Sequence, residues 1–165
     1  MVNLNFDSTK CHAEQMWNVT AEAGKKTLVW HWPGSAWPPS SDSENLHVVD
    51  GTSPGGRRII PPESNTTNSF APSGTSATHF SSLNYLMENN GYEVVFSHFH
   101  APDLQKHMFI RDLAKGTENT TAEQYEFIMQ EIYRQTDRYL GKFVHFLDEG
   151  WTLMVVPIHA YRGLL

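Results

Sequence analysis

The chain of 165 residues has a single cysteine, Cys11, so no internal disulfide can form and the redox compartment is left open. Long hydrophobic runs are also missing. The longest aliphatic stretch, Leu153 to Val156, is strand-sized and far short of the roughly 20 residues a membrane-spanning helix needs. Basic residues are scarce: 12 Lys plus Arg against 18 Asp plus Glu give a formal charge of -6. That balance argues against a general nucleic-acid binder and against an acidic-membrane binder, since either needs a basic face. The opening MVNLNFDSTKCHAEQ lacks the basic-then-apolar pattern of a secretory leader, so a cytoplasmic location is the default expectation. No internal repeat is visible. Asn18, Asn65 and Asn119 each begin an N-x-Ser/Thr triplet, which says little without a secretory signal.

The length suits one core, and a single domain over 1–165 is expected. HAEQMWNVTAEA (12–23) reads as a short helix with Gly24 placed to stop it. KKTLVWHW (25–32) is strand-like and is broken by Pro33 and Gly34. From about 33 to 78 the chain is rich in Pro, Gly, Ser, Thr and Asn. A loop of that length is uncommon in a compact domain, so it reads as an active-site excursion, a disordered insert, or a region whose partners lie elsewhere. A helical turn or two over 82–90 ends at Gly91, and EVVFSHF (93–99) follows as a strand.

The second half is more regular. Tyr125, Ile128, Met129, Ile132, Tyr139, Leu140, Phe143 and Leu147 recur at helical spacing over 121–149. Thr121 with Gln124 forms a capping box at the start, and Gly150 stands at the C-terminal stop position. TLMVV (152–156) then reads as a strand buried on both faces of a parallel sheet. Strand, helix and strand make a βαβ unit, so an α/β fold with a mostly parallel sheet is expected, the strands near 27–32, 93–99 and 152–156 running together.

Ligands of open α/β sheets gather beyond the carboxyl ends of the strands. His98, His100, Asp103 and His107 follow one expected strand and His159 follows another. Asp103 and His107 form D-x-x-x-H, a carboxylate with an imidazole, which suits zinc or a similar divalent ion. On spacing alone two readings stay open: a metal half-site, or a solvated loop with a histidine packed on Phe99 or Phe109. Trp30, Trp32 and Trp37 with Pro33, Pro38 and Pro39 form either a stacking wall for a substrate or the packing of a loop onto the sheet. His98 and His100 read as rim or supporting groups, and His145 as solvated. Arg57 and Arg58 read as a solvated turn, with a phosphate contact as the other option. Cys11 reads as inert.

Several stretches together resemble the type I phosphodiesterase/nucleotide pyrophosphatase family of the alkaline phosphatase superfamily. WNVTAEAGKKTLVWHWPGS (17–35) resembles that family's Trp-bearing helix, glycine turn and strand leading into W-P-G. APDLQKH (101–107) resembles its E-P-D-x-x-G-H metal motif, with Ala101 and Lys106 replacing Glu and Gly. YRQTDRYLGKFVHFLDEGWTLMVV (133–156) resembles its helix and strand before the D-H-G metal motif. The similarity covers most of the chain in order. It implies an alkaline-phosphatase-like α/β/α layer fold and a two-zinc site that hydrolyses phosphoesters through a threonine or serine. Asp103 and His107 would hold one metal and His159 the other, and a phosphoester or nucleotide-like small molecule would be the substrate.

The sequence also departs from that family. Ile158, in VVPIHA, stands where the family has a metal-binding aspartate. Only sixteen residues precede Trp17, and they match no segment carrying the nucleophile; the chain ends six residues past His159, in a YRGLL that does not resemble the family. No catalytic residue is assigned. The implied site keeps Asp103 and His107 at one metal and His159 alone at the other. The expectation is a truncated or degenerate internal piece of the catalytic domain, inactive as this chain alone. The alternatives are a catalytically dead binding module and a non-enzymatic α/β domain.

Overall fold

The computed structural model describes Ser8 and residues 11–35, 39–49, 76–99, 102 and 122–156. Helix α1 (Met16–Glu22) leads into strand β1 (Thr27–Trp30), followed by β2 (Leu46–Val49), α2 (Ser76–Asn90), β3 (Val94–Ser97) and α3 (Ala122–Leu140). A 3-10 helix, Gly141–Leu147, continues α3. The glycines expected to stop helices do so in the left-handed region, with φ of 82° at Gly24, 62° at Gly91 and 89° at Gly150. Such a backbone is open to glycine and strained for other residues.

The three strands form one parallel sheet in the order β2-β1-β3. Leu28 of β1 lies in register with His47 and Val95, and Val29 with Val48 and Phe96. Alternation along each strand therefore sorts these side chains onto two faces. On one face Val29 and Val48 pack with Trp17 of α1. On the other, Leu28 and Trp30 pack with Phe80 and Leu83 of α2, Tyr92, and Phe143 and Phe146 of the 3-10 helix. All four side chains of β1 are buried. Helices on both faces of a parallel sheet make this an α/β layer structure, as expected.

The periodic stripe of the long helix reaches the sheet through its end. Tyr139 and Leu140 pack at the margin of the cluster, and Phe143 and Phe146, 6% and 3% exposed, fill it. Thr121 of the expected capping box lies outside the described residues.

Two expectations about strands need correction. The stretch 33–78 contains a strand, β2, that its polar composition concealed; LHVV is short, and its pairing with β1 makes it a strand. Conversely, TLMVV (152–156) has irregular backbone, with Leu153, Met154, Val155 and Val156 between 44% and 78% exposed. Apolar composition fits a strand only where a ladder partner is available, and among the described residues none pairs with this run. The three-way alignment of 27–32, 93–99 and 152–156 therefore reduces to β1 beside β3, with β2 as the third member.

Candidate functional site

The carboxyl edge of the sheet is built from the ends of β1 and β3 and the start of α1. At His31 the chain leaves β1 with φ at 53°, the one positive value among the described non-glycine residues. Its N–H donates to the Val49 carbonyl at 2.8 Å, so the last strand bond is made just where the backbone turns. Left-handed backbone at a non-glycine residue is strained and concentrates at functional sites. Trp32, Pro33, Gly34 and Ser35 then form a tight turn. Gly34 has φ 82°, and the Ser35 N–H and hydroxyl both donate to the Trp32 carbonyl, at 3.2 and 2.7 Å. Proline second and a positive-φ glycine third is the chemistry of a type II turn.

Gln15, the residue before α1, clamps this turn. Its side-chain amide donates to the Gly34 carbonyl at 3.1 Å. Its Oε1 accepts from the Trp17 indole at 3.0 Å and from the Ser40 hydroxyl at 2.6 Å. Ser40 in turn accepts from Asn18 Nδ2 at 2.7 Å. Asn18 is 7% exposed, so its N-x-Thr triplet offers no accessible glycan acceptor in the folded chain. Its Oδ1 is buried without a protein hydrogen bond.

Trp32 stands beside this network, edge-on to Trp17 (5.9 Å), Phe96 (6.4 Å) and His98 (6.0 Å). His98 is 8% exposed, and its N–H donates to the Trp30 carbonyl at 3.1 Å. It is thus a buried neighbour of Trp32 just past the end of β3. Trp30 belongs to the core, which settles the packing reading for that residue. Trp32, half-buried at the edge, packs the turn onto the sheet. Trp37, Pro38, Arg57, Arg58 and His100 lie outside the described residues. His145 is exposed on the 3-10 helix, its Nδ1 2.7 Å from the Lys142 carbonyl and its Nε2 3.7 Å from Glu88, far in the chain from the site.

The expected metal ligands Asp103, His107 and His159 lie outside the described residues. What is described is the strand that leads to the first two: β3 ends at Ser97, and His98 begins the exit at the carboxyl edge. The run expected to deliver His159 to that edge is not a strand. Among the described residues no three His, Cys, Asp or Glu side chains come together to hold a metal. No local pattern marks Gln15 as a site residue; the signal for His31 is its place between two tryptophans just before Pro33-Gly34.

The clearest electrostatic perturbations lie at the opposite, amino end of the sheet. Burial, and then the Lys26 ammonium, push the His47 imidazole below its ordinary value. Burial pushes the Tyr92 phenol up to about 12. Glu93 is held down by the Lys25 ammonium 2.7 Å away and by the Lys26 N–H.

A parallel sheet flanked by helices, with His31 and His98 at its carboxyl edge, defines the class as an α/β layer domain. The chain belongs to the type I phosphodiesterase/nucleotide pyrophosphatase family, whose sequence model matches residues 4–159. No curated protein and no solved structure shows a significant match to it. The family places the domain among hydrolases of phosphoester or nucleotide substrates that are typically metal-dependent. Among the described residues, no helix is long and apolar enough to cross a membrane.

Proposed function

We propose that this chain is a partial phosphodiesterase/nucleotide pyrophosphatase domain that retains the substrate edge and an incomplete zinc site, and that it does not turn over phosphoesters by itself. Support comes from the family match across 4–159 together with a parallel sheet whose strand β3 is followed in the sequence by Asp103 and His107. Asp103 carboxylate and His107 imidazole are a donor pair suited to zinc, and His159 is the remaining donor of a second position. Ile158, beside His159, offers no donor atom. Three protein ligands are usual at a catalytic zinc, and neither position reaches that number. A zinc at such a site would supply Lewis acidity and charge for a phosphoryl group.

Ile158 favours a second reading as well. A chain that keeps the substrate edge but lacks a working metal pair would act as a binding module for a phosphoester or nucleotide-like small molecule.

Zinc titration against a chromophoric chelator, run beside hydrolysis of bis(p-nitrophenyl) phosphate, tests both parts. Asp103→Ala should weaken zinc binding and Ile158→Asp should tighten it, while hydrolysis stays at the metal-only background in every form. Chelator-sensitive turnover that disappears in Asp103→Ala would overturn the inactivity. Zinc affinity indifferent to both substitutions would overturn the metal assignment.

A further inference from the structure

His47 and Tyr92 belong to opposite edges of the sheet. His47 lies on β2 in register with Leu28, and Tyr92 stands two residues before β3. Their side chains nevertheless meet: His47 Nδ1 is 2.8 Å from the Tyr92 hydroxyl, with the rings edge-to-face at 5.3 Å. The contact passes across the central strand and joins two edge strands that share no backbone ladder. Tyr92 is 7% exposed and packs in the cluster of Leu28, Phe80 and Leu83, so its hydroxyl has little access to water.

We propose that the His47–Tyr92 pair is an acid-sensitive latch on edge strand β2, and through β2 on the carboxyl edge where His31 turns. A neutral imidazole accepts the Tyr92 hydroxyl proton. An imidazolium at the same place carries a proton on Nδ1, so the buried phenol loses that acceptor. The charged groups around the pair oppose the protonated form. Lys26 Nζ lies 5.4 Å from the Tyr92 ring centre and donates to the Asn90 carbonyl at 2.7 Å. Glu93 is already engaged by the Lys25 ammonium and the Lys26 N–H. Glu44 offers His47 its backbone carbonyl, a weaker counterweight than burial and Lys26.

The sign follows from these contacts. The folded state holds His47 below the ordinary value of 6.5, so on acidification the unfolded chain takes up the proton first. Stability conferred by the neutral form is therefore complete above about 6.5 and declines as the pH falls from there towards the folded value. The loss should be local before it is global, because β2 has only four residues. Its ends are tied by the Thr27 N–H to the Asn45 carbonyl and the His31 N–H to the Val49 carbonyl, both 2.8 Å. Loosening β2 thus reaches the His31 turn directly, whereas β3 keeps its own ladder to β1.

Amide hydrogen exchange on the full chain at about pH 8 and about pH 5, corrected for intrinsic exchange rates, tests the latch, with the His47 ring signal followed by NMR. A several-fold fall in protection of the β2 amides and of the His31 amide is expected at the lower pH, in step with His47 protonation, while β3 amides keep theirs. His47→Gln, which retains an acceptor and cannot titrate, should keep β2 protected at both values. Tyr92→Phe should reduce β2 protection at the higher pH and remove most of the difference. Equal β2 protection in the unmodified chain at the two values would refute the latch, as would His47 titrating with no change in β2. A full acid response in His47→Gln would assign the switch to another group.

Discussion

Replacing Phe80 by alanine is the sharpest test of how the layers are held together. Phe80 is 3% exposed, and its ring meets Phe99 at 4.7 Å, Tyr139 stacked at 5.2 Å and Phe143 edge-on at 5.9 Å. Those partners come from the exit of β3, from α3 and from the 3-10 helix. No single shift can close the cavity that truncation leaves. Phe→Ala in a core costs about 3–5 kcal/mol, and the cost rises where the site cannot collapse. Each aromatic pair adds about 0.5–1.5 kcal/mol beyond burial. A loss near 4.5 kcal/mol is therefore expected, a large share of the roughly 5–15 kcal/mol that holds a domain folded. With a urea slope of about 2 kcal/mol/M, the midpoint should fall by about 2 M. Phe80→Leu, which keeps most of the volume, should cost less than about 1.5 kcal/mol. A loss below about 1.5 kcal/mol for Phe80→Ala would show that the four rings do not form one continuous core joining α2 to α3.

Gly24→Ala should destabilise by about 1–2 kcal/mol from left-handed strain alone, since no atom lies within 4 Å of the added Cβ; Gly24→Asn should cost less, and an unchanged melting curve for the alanine variant would contradict the φ of 82°. Glu93→Gln should lower stability slightly at low ionic strength. The effect should vanish in about 1 M salt, because the Lys25–Glu93 pair is exposed at both ends and is screened there. The depressed Glu93 value sets the sign: its contribution is present above 4.5 and is lost as the pH falls through the folded value.

β1 and β3 were legible because each is an apolar run closed by a break, Pro33-Gly34 in one case and the histidine-rich exit in the other. The long helix was legible because its apolar period matches 3.6, although its expected span to 149 is α-helical only to Leu140 and 3-10 over Gly141–Leu147; Gly150, with φ of 89°, stands past that end. Boundaries were less clear. The helix expected over 12–23 begins at Met16 because Gln15 is drawn out to the Gly34 carbonyl, a contact between positions far apart in sequence. The helix expected from 82 begins at Ser76, inside a stretch whose Ser and Thr content suggests loop. β2 escaped notice because four residues in a polar region carry almost no periodic signal, and only β1 makes them a strand. TLMVV misled for the complementary reason: composition reports affinity for a sheet, whereas a strand also needs an open neighbour. At the site, Trp32 and His98 are legible because each stands at the end of an apolar strand-like run. The left-handed turn at His31 and the Gln15 clamp are properties of three-dimensional closure, and no local pattern announces them.

The strand order has a consequence in time. The central strand is made before either of its partners: Thr27 pairs with Leu46 on one side and with Val94 on the other. At about 5–20 residues per second during synthesis, the 67 residues separating Thr27 from Val94 take about 3–13 s to appear. Throughout that interval Leu28, Val29 and Trp30, among the most deeply buried side chains of the finished fold, have no completed sheet to enter. Loop closure over so long a span must be met before the pairing returns anything. The most deeply buried strand of the sheet is thus the one that must stay exposed until both of its neighbours have been made.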